Sequence, residues 1–421
     1  MIGAAVSPAL ATPERASPYR NLGTLARALV HVEAAWVGTP DQDRLIRGAL
    51  DGLAASLDPH SDYLDPEEYR MLEADARGQF GGVGLEIESR DGWLVVLGVF
   101  EGAPAARAGL LPGDRLLRID GVDARDMRLV DAVRRMRGAP GTSVRVVVRR
   151  PGQEAAIERT LVREIVRVPS VRSRLLSDRT LYLDVSTFQE STAREVRDAL
   201  DRALNQASRA GGLRGILLDL RSNGGGLLDQ AVLVADEFLG AGPVVRVHGR
   251  GGRAIAEHVS RDAGTRPDWP LVVLVDGYTA SAAEILAGAL RDHGRAVLVG
   301  RRTWGKGSVQ NVIPLPDGGA LKLTVALYRT PTGRVIQARG IEPDVVLDEV
   351  AAPDPFFVQT SEQALDGHLE PEPGLERPRP ALRVPPPDPD ADGASAAAFP
   401  DDAGARAAHR ILRAILAARG P

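Results

Sequence analysis

The strongest constraint on this fold is a pattern that recurs in the second half of the chain. Residues 213–220 form an apolar, buried-type strand. They meet Arg221-Ser222-Asn223-Gly224-Gly225-Gly226 and lead into an apolar helix over 227–239. Residues 271–276 are a second such strand, followed by Gly-Tyr-Thr-Ala-Ser and a helix over 282–291. Residues 296–300 are a third, followed by RRTWGKGSVQ, and 321–328 read as a later strand. Strands alternating with helices imply an α/β core over residues 166–350.

The rest of the chain divides around that core. Its 421 residues suggest about three domains. With 44% apolar and 26% charged residues, disorder throughout is excluded. Residues 19–76 read as helical: Leu22, Leu25, Leu29, Val32 and Trp36 recur at helical spacing, and Asp65-Pro66 is a cap and first-turn pair. Asp58-Pro59-His60-Ser61 reads as a helix-ending turn, because three adjacent residues cannot fold back into a triad. Residues 77–165 switch to short strands divided by Gly and Pro turns, with short helices over 103–108 and 128–137. Nine of 30 prolines fall in 371–400, so that stretch is expected to be disordered, within a Pro/Asp/Ala-rich linker over 351–402 and followed by an apolar-striped helix within 403–421. Residues 1–18 read as a leader or disordered. Ala-Leu-Ala precedes Thr12 there, but a basic n-region and a full h-region are lacking, so both a signal remnant and a plain leader stay open.

Composition narrows the chemistry. A net charge of −4 gives no basic excess for nucleic acid, and no apolar run reaches the length of a membrane span. The absence of Cys excludes disulfides and thiolate nucleophiles, and seven scattered His make a metal cage an unfavoured reading. Ligands of α/β sheets bind beyond the carboxyl ends of strands, so the loops 221–226, 277–281 and 301–310 matter most. Ser281 starts a helix there: either an N-cap, or a nucleophile whose oxyanion would face the helix N-terminus. His293 lies 12 residues on, at the far end of the same helix, so it cannot serve as base. Of 52 basic residues only Lys306 and Lys322 are lysine. A Lys between two glycines suits a task Arg cannot perform, since a desolvated Lys can lose its proton. On an extended segment Lys306, Ser308 and Gln310 share a face, so Gln310 could orient the amine. The N–H groups of Ala282 and of one of Gly224, Gly225 and Gly226 make a candidate oxyanion hole, although the glycines could equally be a tight turn. Upstream, FGGVGLEI can offer successive N–H groups to a carboxylate, and the strand beyond it can pair with an extended peptide.

Two resemblances follow from these residues. With the glycine loop, APAARAGLLPGDRLLRIDG resembles the PDZ signature, so 77–165 is expected to be a PDZ domain. LDPHSDYL, that signature, LLDLRSNGGGLL, TASAAEI and GRRTWGKGSVQ occur in the order found in carboxy-terminal processing peptidases (tail-specific proteases) of the Ser–Lys type. The 25-residue gap from Ser281 to Lys306 also fits, and the match spans roughly 19–350. The resemblance implies an α/β multidomain protein: a crotonase-like β/α spiral peptidase core, a PDZ domain and an N-terminal helical region. It implies Ser281 as nucleophile, Lys306 as general base, Gln310 as its partner, backbone N–H groups of Gly225, Gly226 and Ala282 as oxyanion hole, and Asp292 as a supporting residue. The PDZ loop Gly82, Val83, Gly84 and Leu85 would hold a terminal carboxylate, with Leu129, Val133 and Met136 selecting the last side chains. The expected partners are proteins or peptides with free C-termini, with a homo-oligomer and an envelope adaptor protein also allowed. No cofactor, metal, nucleic acid or membrane span is implied, and the expected location is the bacterial cell envelope, in the periplasm. The chain departs from the family pattern at Gly224 (usually Pro), Ala283 (usually Ser) and Trp304 (usually Phe). The competing classes are a binding module with an inactive core and a crotonase-type acyl-CoA enzyme; intact Ser281, Lys306 and Gln310 speak against the first, and the PDZ signature against the second.

Overall fold

The computed structural model describes residues 21–90, 92–153, 155–347, 361–371, 381–384 and 393–419. The expected leader lies outside these residues. The central element is a seven-stranded sheet in the order Val171–Leu175, Thr180–Val185, Gly215–Asp219, Leu271–Val275, Val297–Gly300, Val345–Leu347, Leu382–Val384. The first strand runs antiparallel to its neighbour and the remaining pairs are parallel. Every residue of Gly215–Asp219 and Leu271–Val275 is buried, because helices cover both faces. Ile216 and Leu218 pack with the helices Thr192–Ala207, Leu228–Asp236 and Ala282–Asp292. Leu217, one residue out of phase, faces the opposite layer with Leu412 and Leu416 of the helix Ala403–Arg419.

A second, five-stranded antiparallel sheet lies beside it. Ala320–Arg329 pairs with Asp62–Leu64, Gly242–His248 and Ser308–Pro314, and Ala254–Ser260 pairs with Gly242–His248. This overturns the expected crotonase-like β/α spiral. Strand–helix alternation is compatible with either arrangement, but four strands between residues 242 and 329 leave the alternation to build their own sheet, recruiting a strand from the N-terminal region. The fold combines mixed β-sheets with the helices that cover them. A third, six-stranded antiparallel sheet takes Leu85–Arg90, Trp93–Val99, Arg115–Ile119, Val122–Asp123, Ser143–Arg149 and Ile157–Val162, and packs on the helices Pro104–Arg107 and Leu129–Met136. Gln79–Gly82 pairs with Glu164–Arg167, so the two ends of this unit are tied together.

The linker reading of 351–402 also needs correction. Its parts 351–360, 372–380 and 385–392 lie outside the described residues. Within it, however, Glu362–Ala364 is a 3₁₀ turn with Glu362 buried, Leu382–Val384 extends the central sheet, and Gly393–Ala398 is a helix. Composition misleads because three residues suffice to add a sheet edge, and one buried carboxylate with three side-chain partners suffices to fix a turn.

Candidate active site

Three loops leave the carboxyl ends of the central strands and are stitched together by buried polar groups. Asp276 Oδ1 accepts the N–H groups of Ser222, Tyr278 and Thr279. Thr279 Oγ1 donates to the carbonyl of Leu220, and the Ala280 N–H to that of Asn223. Asn223 is fully buried; its Nδ2 donates to the Val185 carbonyl and its Oδ1 accepts the Gly225 N–H at 2.8 Å. In this frame Ser281 adopts φ 55° and ψ −118°, a conformation strained for a residue with a Cβ. Glycine is required opposite it: a Cβ on Gly225 would lie 2.8 Å from Ser281 Cβ and 3.0 Å from the Ala282 nitrogen.

Glu284 joins the serine to the lysine. It is fully buried, and its carboxylate accepts the N–H of Ser281, the hydroxyl of Thr303 and the N–H groups of Gly305 and Lys306. Burial pushes this carboxyl up to about 7, against those four donors, which favour the ionised form. Sequence reasoning passed over Glu284, although Ser-x-x-Glu at a helix start is the capping-box spacing. Burial likewise lowers the Lys306 ammonium below the ordinary lysine value; Lys322 acts in the same direction, and the carboxylates of Glu362, Asp58 and Glu284 oppose it. No hydrogen bond joins Ser281 to Lys306 among the described residues.

The carboxylates beside Lys306 come from distant parts of the chain. Burial would raise Asp58, but the hydroxyls of Ser61 and Thr324 and the N–H groups of His60 and Ser61 hold it below the usual range. Glu362 is fully buried. Its carboxylate contacts His60 Nε2 at 2.9 Å through both oxygens and accepts Gln337 Nε2 at 2.8 Å and the Trp304 indole N–H at 3.2 Å. A Phe at 304 could not make that last bond. Gln337 Oε1 also accepts the Gly307 N–H, so the loop bearing Lys306 is held on both sides.

The remaining expected residues are only partly brought together. Gln310 Nε2 donates to Ser308 Oγ and Thr324 Oγ1, so Gln310 shares a face with Ser308, but no hydrogen bond links it to Lys306 among the described residues. The Ala282 and Gly226 N–H groups have no acceptor among the described residues, whereas the Gly225 N–H is taken by Asn223. Asp292 ends the helix that Ser281 begins, roughly 16 Å away along its axis. There it accepts from Thr330 and Thr332, fixing a turn away from the site. Val83, Gly84, Leu85, Leu129, Val133 and Met136 line a groove of about 410 Å³, while Gly82 pairs with Glu164 outside it. Val168, Pro169, Arg172 and Ser186, beyond the six-stranded unit, form its far wall. No cluster of three or more His, Asp or Glu suited to a metal ion occurs among the described residues, and none of their helices is long and apolar enough to cross a membrane.

Comparison with known proteins gives two family matches, peptidase family S41 over residues 179–347 and a PDZ domain over 95–150. The chain is 37% identical over 364 residues to a carboxy-terminal-processing protease of Bartonella bacilliformis, covering 86% of this chain and 83% of that one. It is 33% identical to the carboxy-terminal processing protease CtpA of Bacillus subtilis, covering 76% and 68%. Among solved structures, the photosystem II D1 C-terminal processing protease is 31% identical, with 78% of this chain and 88% of that one covered and a TM-score of 0.48.

Proposed function

The chain belongs to the carboxy-terminal processing peptidases of family S41, and from that premise we propose that Ser281 is its nucleophile and Lys306 its general base. It is a serine-type endopeptidase carrying a PDZ domain that recognises protein C-termini. The observation that carries the residue assignment is Glu284, whose single carboxylate receives the N–H groups of both Ser281 and Lys306. Neutral Lys306 takes the Ser281 proton as Oγ attacks the scissile carbonyl. The Ala282 and Gly226 N–H groups receive the oxyanion. Lys306 then returns the proton to the leaving amine, and water, deprotonated in turn, releases the acyl group. Gln310 orients the amine by accepting one of its N–H groups through Oε1, which leaves the lone pair for Ser281 while Nε2 stays bonded to Ser308 and Thr324. Ser281→Ala and Lys306→Arg should each abolish cleavage of an unfolded protein without loss of folding, since Arg keeps the charge but cannot act as base. Near-wild-type turnover by Lys306→Arg would refute the base assignment.

The PDZ groove holds the free terminal carboxylate of the substrate at residues 83–85, with Leu129 and Val133 against its last side chains. The protein acts in the bacterial cell envelope, in the periplasm, which cell fractionation checks. A homo-oligomer is supported by the helix Leu22–Ala35, which has no buried residue although Leu22 and Val30 are apolar; sedimentation tests it. An envelope adaptor remains a partner to seek by capture on the Ser281→Ala protein.

A further inference from the structure

The loop that carries Gly226 is held from the back of the sheet through Asp402, a residue outside the quoted motifs. Arg221 opens the loop. Its N–H donates to Asp219 Oδ1, and its Nε contacts both oxygens of the same carboxylate at 3.0 and 3.1 Å. Tyr182 donates its hydroxyl to Asp219 as well. The outer edge of the guanidinium meets Asp402 in a fork-to-fork pair, Nη1 to Oδ1 at 3.0 Å and Nη2 to Oδ2 at 2.6 Å. Asp402 lies 181 residues away and starts the helix Ala403–Arg419, accepting the Ala405 N–H. That helix is anchored on the far face of the sheet by Leu412, Leu416 and His409. Gly404 packs so closely that a Cβ there would lie 3.1 Å from Arg221 Nη1.

We propose that Asp402 is a positioning residue for the oxyanion turn, acting through Arg221. The residue after Arg221, Ser222, sits at φ 56°, a strained conformation that persists only when its surroundings over-determine it. Asp276 holds Ser222 from the front, and the Asp219–Arg221–Asp402 clamp holds the preceding residue from behind. With Asp402 neutralised, Arg221 keeps Asp219 but loses its second anchor. Ser222 relaxes, and the Gly226 N–H shifts away from the position it shares with that of Ala282. Oxyanion donors must be fixed before the charge develops, so the loss falls on turnover and leaves tail binding alone.

This inference rests on the oxyanion assignment above, so Ser281→Ala is measured beside it. The test is Asp402→Asn in the full-length protein. Asn caps a helix as well as Asp does, so the substitution removes the charge and spares the cap. The expected result is a fall in kcat of about tenfold or more with KM for a tail-bearing peptide changed by less than about twofold. Amide exchange should speed up over 222–226 while 403–419 stays protected. Unchanged kcat, with Ser281→Ala inactive, overturns the role of Asp402 and leaves the peptidase reading intact. Cleavage by Ser281→Ala would instead overturn the peptidase reading. A fall in kcat accompanied by lost protection over 403–419 makes Asp402 a helix cap only and also overturns the proposal. Asp402→Ser, which keeps a capping oxygen, is the second variant; failure of both to fold overturns it too.

Discussion

At the residue scale, the burial that suits Lys306 to the proposed role of base costs stability. Burial favours its neutral form, so the native chain holds the Lys306 proton less tightly than the unfolded chain does. Unfolding therefore takes up a proton between the lowered native pKa and the ordinary lysine value, and stability rises with pH across that window. The same shift sets the pH profile: the rate of the chemical step should climb through the lowered pKa and level off below the usual lysine range. A flat profile between about pH 6 and 9, with chemistry rate-limiting, would contradict a lysine base. Lys306→Met should be inactive yet at least as stable as the wild type in denaturant unfolding, because a buried charge is replaced by an apolar chain. Glu284 behaves in the opposite way. All four of its partners donate, so Glu284→Gln turns an NH2 towards at least one donor. That change should cost about 1–3 kcal/mol in the same measurement, and turnover with it.

At the scale of elements, periodic segments were legible and polar long-range pairs were not. The strands Trp93–Val99 and Arg115–Ile119 lie in the region 77–165 that reads as short strands, and the expected helix 282–291 differs by one residue from Ala282–Asp292. A periodic apolar face leaves its trace locally. The Asp58–Ser61 turn was read correctly as a turn, but its approach to Lys306 depends on Asp62–Leu64 pairing with Ala320–Arg329, about which no local pattern informs. Glu362 was hidden in a proline-rich composition, and Asp402 at the edge of it. The C-terminal helices give a further test. His409 is buried, with Nδ1 on Ser395 Oγ and Nε2 on Asp178 Oδ2, each at 3.0 Å. Burial would raise Asp178, yet His409 and the Thr180 N–H bring it down to about 2. Its contribution to stability is thus present above the unfolded aspartate value and is lost as pH falls from about 4 to 2. His409→Ala, which takes one hydrogen-bond partner from Ser395 and one from Asp178, should destabilise by about 1–2 kcal/mol and weaken this acid dependence.

At the scale of the whole molecule, the groove has walls from two units, and the paired strands Gln79–Gly82 and Glu164–Arg167 tie the ends of the six-stranded one. If residues 83–85 bind a free carboxylate, amidating the substrate tail should slow cleavage by about tenfold or more, since bonds to a charged group contribute about 1.5–3 kcal/mol each. Deleting 79–163 should erase the difference between free and amidated peptides. Equal rates on the full-length protein would remove tail recognition and leave the Ser281–Lys306 chemistry standing. The contact between His60 and Glu362 spans 302 positions, and a protein is made from one end. When Ser281 leaves the ribosome, Glu362, one of the carboxylates around Lys306, is still unmade. In refolding, peptidase activity should therefore return later than the fluorescence of Trp93, which lies in a strand of local pairings.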